Sequence, residues 1–188
     1  VLIEENKKKI QVNDKKIKNR NELKKILTTV LIDKEFKENL EKSFRPRRMI
    51  LDSVISNVSN SFNKKLQLYN IELKRKNEIL LNNGDNEVLK FINERIIKLA
   101  HDTSSERKLW LSRLTNLANK VLNKLHSESS LECNIDSDCL NLAGLQKKID
   151  LNSSKEVALR KTIIGSHKDK IYFTLNGYDI FEFGSEGE

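Results

Sequence analysis

Four side chains in this sequence have the types that a metal site needs. His126, Cys133, Cys139 and His167 together offer two imidazoles and two thiols, a donor set that suits zinc. Their spacing argues against it, because the five residues between Cys133 and Cys139 exceed the tight spacing of a structural zinc knuckle. Two ordinary thiols are the expectation. A local disulfide closing the 133–139 loop is the alternative, and it would imply an oxidising compartment. His101 reads as a surface residue near a helix break.

The second chemistry is recognition of anions. Arg45, Arg47 and Arg48 flank the only proline and form the tightest arginine cluster. At the start of a helix these charges oppose the helix dipole, which points to some other use. A phosphate or an acidic partner is one such use; a solvated corner is the plain reading. Lys74, Arg75 and Lys76, with Lys90, Arg95 and Lys98, make a second basic group that suits nucleic acid. Trp110 and Tyr69 could stack on bases, yet both occupy positions in an apolar stripe, where core packing is expected.

Catalytic motifs are missing. The sequence has no P-loop, no dinucleotide glycine fingerprint, no nucleophile elbow and no His-Glu-x-x-His. The reading is therefore of a protein that is not an enzyme, with no cofactor and no metal.

The elements that would position these groups are mainly helical. Asn82-Asn83-Gly84-Asp85 joins two long segments with helical periodicity, 46–82 and 86–126. Asn and Gly tolerate the left-handed conformation that closes a helix, and Asp85 is a strong N-cap. Leu51, Ile55, Val58, Phe62, Leu66, Tyr69, Leu73 and Leu80 recur at threes and fours, with Lys76 the lone polar interruption. Leu89, Ile92, Ile96, Leu99, Trp110, Leu114, Leu117, Val121 and Leu125 do likewise on the second segment. Folding about Gly84 pairs positions that sum to about 168, so Leu80 meets Val88, Tyr69 meets Leu99, Val58 meets Trp110 and Leu51 meets Leu117. The double step Val58-Phe62-Leu66 is a local stutter. Thr103-Ser104-Ser105-Glu106 matches a capping box, so a helix break near His101-Asp102 is expected there.

Before the hairpin, Ile3, Ile10 and Ile17 suggest a weak helix over 2–20. A better one starts at Asn21 with Leu23, Ile26, Leu27, Val30 and Leu31, and Asp33 can restart it through Phe36 and Leu40. This first segment matches the hairpin arms in length, so a reversal at Ser43-Phe44-Arg45 would give a three-helix bundle. After Ser130 the elements shorten. Ser137-Asp138 is expected to cap a short helix through Ile149, and Asn152-Ser153-Ser154 to precede another ending at Gly165. Asn176-Gly177 between two apolar runs predicts a β-hairpin over 170–183 with a type I′ turn. Leu175 then opposes Tyr178, and Phe173 faces Ile180. Phe173, Tyr178 and Phe181 would make its exposed edge a partner-binding strand. The fold class is thus mainly α: an elongated coiled-coil-like hairpin over 1–126, then a small α+β tail over 127–188.

Composition agrees with elongated helices. Of the 188 residues, 37% are hydrophobic and 33% charged, a balance that favours a narrow buried seam over a compact globule. Net charge is +8, with 15 basic and 8 acidic groups over 46–126 but 7 and 11 over 127–188. The first residue is valine rather than methionine, as in a fragment or processed chain. No membrane span and no secretory signal are visible. The leading functional reading is a non-catalytic scaffold or interaction subunit of a larger intracellular assembly, with protein partners and homo- or hetero-oligomers in view. Nucleic-acid binding through the basic hairpin is the second reading. A secreted or surface helical protein binding host macromolecules is the third.

Overall fold

The computed structural model describes residues 2–4, 7–13, 15–17, 22, 32–82, 86–125 and 128–183. The fold is α-rich with a small C-terminal sheet. Asn83, Gly84 and Asp85, the centre of the expected turn, lie outside the described residues. The helices on either side show the reversal all the same. Helix α3 (Asn60–Leu81) runs antiparallel to α4 (Asn86–Leu125). Two cross-helix ion pairs fix the register: Arg95 Nη2 to Glu72 Oε1 at 2.8 Å, and Lys65 Nζ to Glu106 Oε1 at 2.5 Å.

The first arm is not one helix. Helix α2 (Phe44–Val58) ends at Ser59, which is extended (φ −122°, ψ 100°) and caps α3 by accepting a hydrogen bond from Phe62 N. The stutter at Val58-Phe62-Leu66 is resolved by breaking the helix rather than by relaxing a supercoil. Val58 is left 55% exposed, and Leu117, farther along the opposite stripe, 59%. Beyond Ser59 α2 still packs on α4, but Leu51 and Ile55 share a core with Leu111 while Leu117 stays exposed, so the expected pairing of Leu51 with Leu117 is not made. Pro46 sits in the first turn of α2, where its missing N–H costs nothing.

The N-terminal segment also departs from expectation. Strand β1 (Leu2–Glu4) pairs antiparallel with β2 (Lys7–Lys9), and β3 (Gln11–Val12) with β4 (Lys15–Lys16). Asn13 takes φ 48°, and Ile17 N donates to Ile10 O at 2.8 Å, so a turn stands where a weak helix was expected. An isoleucine every seven residues among lysines gives no stripe that could sustain a helix. The apolar run from Leu23 to Leu31 lies outside the described residues. Asp33 does start a helix, α1 (Lys34–Lys42), its Oδ1 accepting from Phe36 N at 2.8 Å. This nine-residue helix packs on α2 across Ser43, and the described residues of 2–16 form strands and a turn rather than the start of a third helical arm.

Beyond the hairpin, β5 (Leu131–Asp136), β6 (Lys170–Leu175) and β7 (Tyr178–Asp179) form an antiparallel sheet in that order. Cys133 opposes Phe173, Ile135 opposes Ile171, and Leu175 opposes Tyr178 as expected. Asn176 and Gly177 both have positive φ, 53° and 86°, as a type I′ turn requires. The second strand stops at Asp179, whose Oδ1 accepts from Phe181 N and opens a short helix, α6 (Ile180–Phe183). Phe173 consequently meets Phe181 edge-on, with ring centroids 5.9 Å apart, instead of pairing with Ile180. Helix α5 (Leu142–Leu159) is continuous; Asn141 caps it, and the expected break at Asn152-Ser153 is absorbed by side-chain bonds back to Lys148 O and Asp150 O.

Both apolar cores draw on the hairpin and the tail together. Tyr69, Ile92, Ile96 and Ala100 pack with Cys139, Leu145, Ile149 and Ile164. Leu51, Ile55, Phe62 and Leu111 pack with Ile171. The compositional change at 126–127 is thus not a gap between cores. β5, rather than the first arm, covers the later part of α4.

Candidate functional site

The densest polar arrangement lies where α2, α4 and the tail converge. Arg107, on α4 and 2% exposed, holds Asp52 of α2 through one guanidinium edge: Nε to Oδ1 at 2.7 Å and Nη2 to Oδ2 at 2.8 Å. Its Nη1 donates to Asp169 Oδ2 at 2.7 Å and to Ser166 O at 2.6 Å. Ser104, one turn earlier on α4, donates to the same Asp169 oxygen at 2.7 Å, and Ser137 donates to the other. Burial alone would lower the Arg107 pKa, but bonds and charge from Asp52 and Asp169 outweigh it and hold the guanidinium charged.

These contacts explain the run Thr103-Ser104-Ser105-Glu106. No helix break occurs there. Thr103 Oγ1 bonds back to Leu99 O at 2.7 Å, Ser104 reaches Asp169, and Glu106 pairs with Lys65. The run thus serves three neighbours: its own helix through Thr103, the tail through Ser104 and α3 through Glu106. His101, also mid-helix, has its Nδ1 2.8 Å from Cys139 O.

A groove of about 700 Å³ opens beside this junction, lined by Arg45, Arg48, Tyr69, His167, Lys168 and Lys170 among others. Gly165 lies behind Tyr69 and His167 of that lining. That residue has φ 146°, and a Cβ there would sit 2.4 Å from Tyr69 Oη, so a side chain is excluded both by conformation and by space. Tyr69 Oη lies 2.7 Å from His167 Nδ1 and accepts from His167 N at 3.3 Å. Burial pushes the Tyr69 hydroxyl up and the His167 imidazole down to about 4, the latter helped by the charges of Lys168, Arg48 and Lys76.

A pH dependence follows from His167. The unfolded imidazole titrates near 6.5. Between pH 6.5 and about 4 the unfolded chain binds a proton that the folded chain refuses, so stability falls as pH is lowered through that window. The full effect is ~3 kcal/mol by pH 4, and none of it operates above about pH 7. Denaturant titrations of the wild type and His167→Gln at pH 7.5 and 4.5 will show a smaller acid loss in the variant. Equal losses would contradict the assignment.

The sequence-predicted residues are dispersed. Arg45 is exposed, whereas Arg47 and Arg48 are buried at 7% and 9%. Arg47 donates to Leu40 O and Ile171 O and lies 4.0 Å from the centroid of the Phe181 ring; Arg48 donates to Asp169 O. Backbone carbonyls answer much of the other use that the cluster implies. Lys74 and Arg75 are exposed on α3, and Arg75 also reaches Glu72. Lys76 is buried, with its Nζ 2.6 Å from Glu156 Oε2. Phe173 and Phe181 are half-buried against one another, and Tyr178 is 66% exposed beside Phe183. Cys133 and Cys139 are free thiols, both raised by burial, Cys139 to about 12. Among the described residues no group of His, Cys, Asp and Glu could hold a metal; His126 lies outside them. Asp52, Ser104, Arg107 and Asp169 are not legible as a site, because bonded partners among them stand 55 to 65 residues apart in the chain.

A long α-helical hairpin braced by a small sheet through a buried charge cluster is the class of architecture present. The particular likeness is to RecF. The chain is 26% identical over 199 residues to the DNA replication and repair protein RecF of Clostridium tetani (strain Massachusetts / E88), covering 100% of this chain and 54% of the relative. It is 29% identical over 197 residues to RecF of Clostridium botulinum (strain Loch Maree / Type A3), and 27% over 184 residues to RecF of Leptospira interrogans serogroup Icterohaemorrhagiae serovar Lai (strain 56601). Coverage is 100% of this chain and 53% of the relative for the first, and 97% and 50% for the second. The chain spans about half the length of the curated relatives it matches. Two structures of the recombination mediator protein RecF in the RecFOR pathway, RecF-ATP and RecF-ATPrS, share the fold with TM-scores of 0.82 and 0.81. They are 24% and 23% identical, over 96% and 94% of this chain and 52% and 51% of theirs. No protein-family model matches the chain.

Proposed function

We propose that this chain is a non-catalytic interaction module of a RecF-like DNA replication and repair protein, a rigid helical arm that engages nucleic acid and protein partners. The observation that carries this reading is the similarity to RecF along the whole chain. The buried Arg107 cluster supports the rigidity, since it ties α2, α4 and the tail through charged hydrogen bonds. Exposed Lys74, Lys90 and Lys98 support contact with phosphates, joined by Arg75 and Arg95, which are exposed but share Glu72; Lys76, buried on Glu156, drops out of that set. Tyr178 and Phe183 offer an exposed aromatic end to a protein partner. The chain itself performs no chemistry in this reading and works beside DNA, inside the cell. No described helix is long and apolar enough to cross a membrane. Likeness to a DNA repair protein gives the secreted host-binding reading no support.

Fluorescence anisotropy with a labelled duplex carrying a single-stranded extension tests it. Binding at low salt that weakens steeply as salt rises is the expected result. Failure to bind the DNA even at low salt would remove the nucleic-acid part of the reading.

A further inference from the structure

The groove beside the junction has an imbalance that the helical arm does not explain. Arg48 is nine-tenths buried, and its Nη1 donates to a neutral acceptor, the carbonyl of Asp169, at 2.5 Å. The nearby carboxylates are engaged elsewhere: both oxygens of Asp52 accept from Arg107, and those of Asp169 accept from Arg107, Ser104 and Ser137. Arg107 is itself a like charge close enough to repel Arg48. Arg45 and Lys168 stand exposed at the rim, and Lys170 joins them, loosely held by Asp136 at 3.5 Å. Ser43, at the mouth, makes no side-chain cap to α2, whose first turn has no acidic residue. A charge taken out of water is costly unless it is paired. Arg48 feels the charges of Asp169 and Asp52 but hydrogen-bonds to neither carboxylate, while space for a bonded anion remains open beside it.

We propose that the groove between the first turn of α2 and the turn Ser166–Lys168 binds a phosphate group, held by Arg45, Arg48, Lys168 and Lys170. The guanidinium of Arg48 supplies a planar fork from the wall, and the rim lysines add point charges. At about 700 Å³ the groove holds more than one phosphate, so both a polynucleotide backbone and a free phosphorylated small molecule have the right chemistry. Only the polynucleotide source rests on the function proposed above.

Arg45→Ala/Lys168→Ala is the informative variant, because both side chains are exposed and their removal leaves the fold intact. Inorganic pyrophosphate is expected to raise the wild-type Tm saturably beyond sodium chloride of equal ionic strength, and the double variant to need ~10-fold more of it. Duplex affinity measured on the same two proteins separates the sources. A matching drop in the variant supports a polynucleotide phosphate; unchanged duplex affinity with an abolished pyrophosphate effect supports a free small molecule. If pyrophosphate acts but no duplex binds, the site stands and the nucleic-acid reading falls. A pyrophosphate effect equal to that of sodium chloride, or identical in both proteins, overturns the site whatever the duplex does.

Discussion

Arg107→Leu is expected to lower the folding stability by about 3–5 kcal/mol, because two carboxylates lose the cation that balances them. Asp52 would keep neither of its guanidinium bonds, and Asp169 would retain only the hydroxyls of Ser104 and Ser137. A domain of this size has only about 5–15 kcal/mol in hand, so the variant should sit close to unfolding at 37 °C. Arg107→Lys keeps the charge but not the fork. One ammonium cannot reproduce the bidentate grip on Asp52 while reaching Asp169 and the carbonyl of Ser166, so most of the loss should persist. Urea unfolding at pH 7.5 measures this directly. A loss under about 1 kcal/mol for Arg107→Leu would mean that the cluster is an ornament on a fold held elsewhere.

Lys76→Met is expected to cost a similar ~3–5 kcal/mol, since it strands Glu156 in the interior. The two side chains are 1% and 2% exposed and meet at 2.6 Å. Removing both charges should be far milder. Lys76→Met/Glu156→Leu replaces the pair with apolar volume, leaving mainly the loss of the Ile163 N to Glu156 Oε1 bond, worth ~1–3 kcal/mol. The double variant should therefore be more stable than Lys76→Met alone, a coupling that a double-mutant cycle resolves. Additive losses would show that the two groups do not act as a pair.

This pair also shows how far the sequence could be read. Lys76 breaks the apolar stripe of its helix yet occupies the stripe's position. Periodicity was a sound guide to where it points, and its partner, 80 residues on, was beyond local reach. The register of the α3–α4 half agrees with the stripes of Ile, Leu and Tyr, as the Glu72–Arg95 and Lys65–Glu106 pairs show, whereas beyond the break at Ser59 Val58 and Leu117 are exposed. Local signals failed where tertiary contacts reassign a residue. Thr103 to Glu106 has the pattern of a cap, but buried hydroxyls that bond to a distant carboxylate have that pattern too. The strand at Leu131–Asp136 escaped although Leu131, Cys133 and Ile135 alternate with polar residues, the period of a half-buried strand. At the N-terminus a seven-residue spacing of isoleucine suggested a helix, and Asn13 made a turn instead. Arg47 and Arg48 are unusual at a helix start, and the carbonyls of Leu40, Asp169 and Ile171 that receive them come from two segments far apart in the chain.

Arg107 and Lys76 are paired inside the arm, whereas Lys74, Arg75 and Lys98 stand on its surface. Under the proposed function Arg107 and Lys76 serve the fold from inside, and the exposed basic groups of the hairpin would serve a polyanion. The slope of log affinity for duplex DNA against log salt tests that division most directly. The account predicts a negative linear slope for the wild type. Changing Lys74, Arg75 or Lys98 to Ala should make it shallower by ~0.9 for each phosphate that the variant no longer neutralises. Binding that is indifferent to salt, or a slope that none of these changes moves, would contradict it.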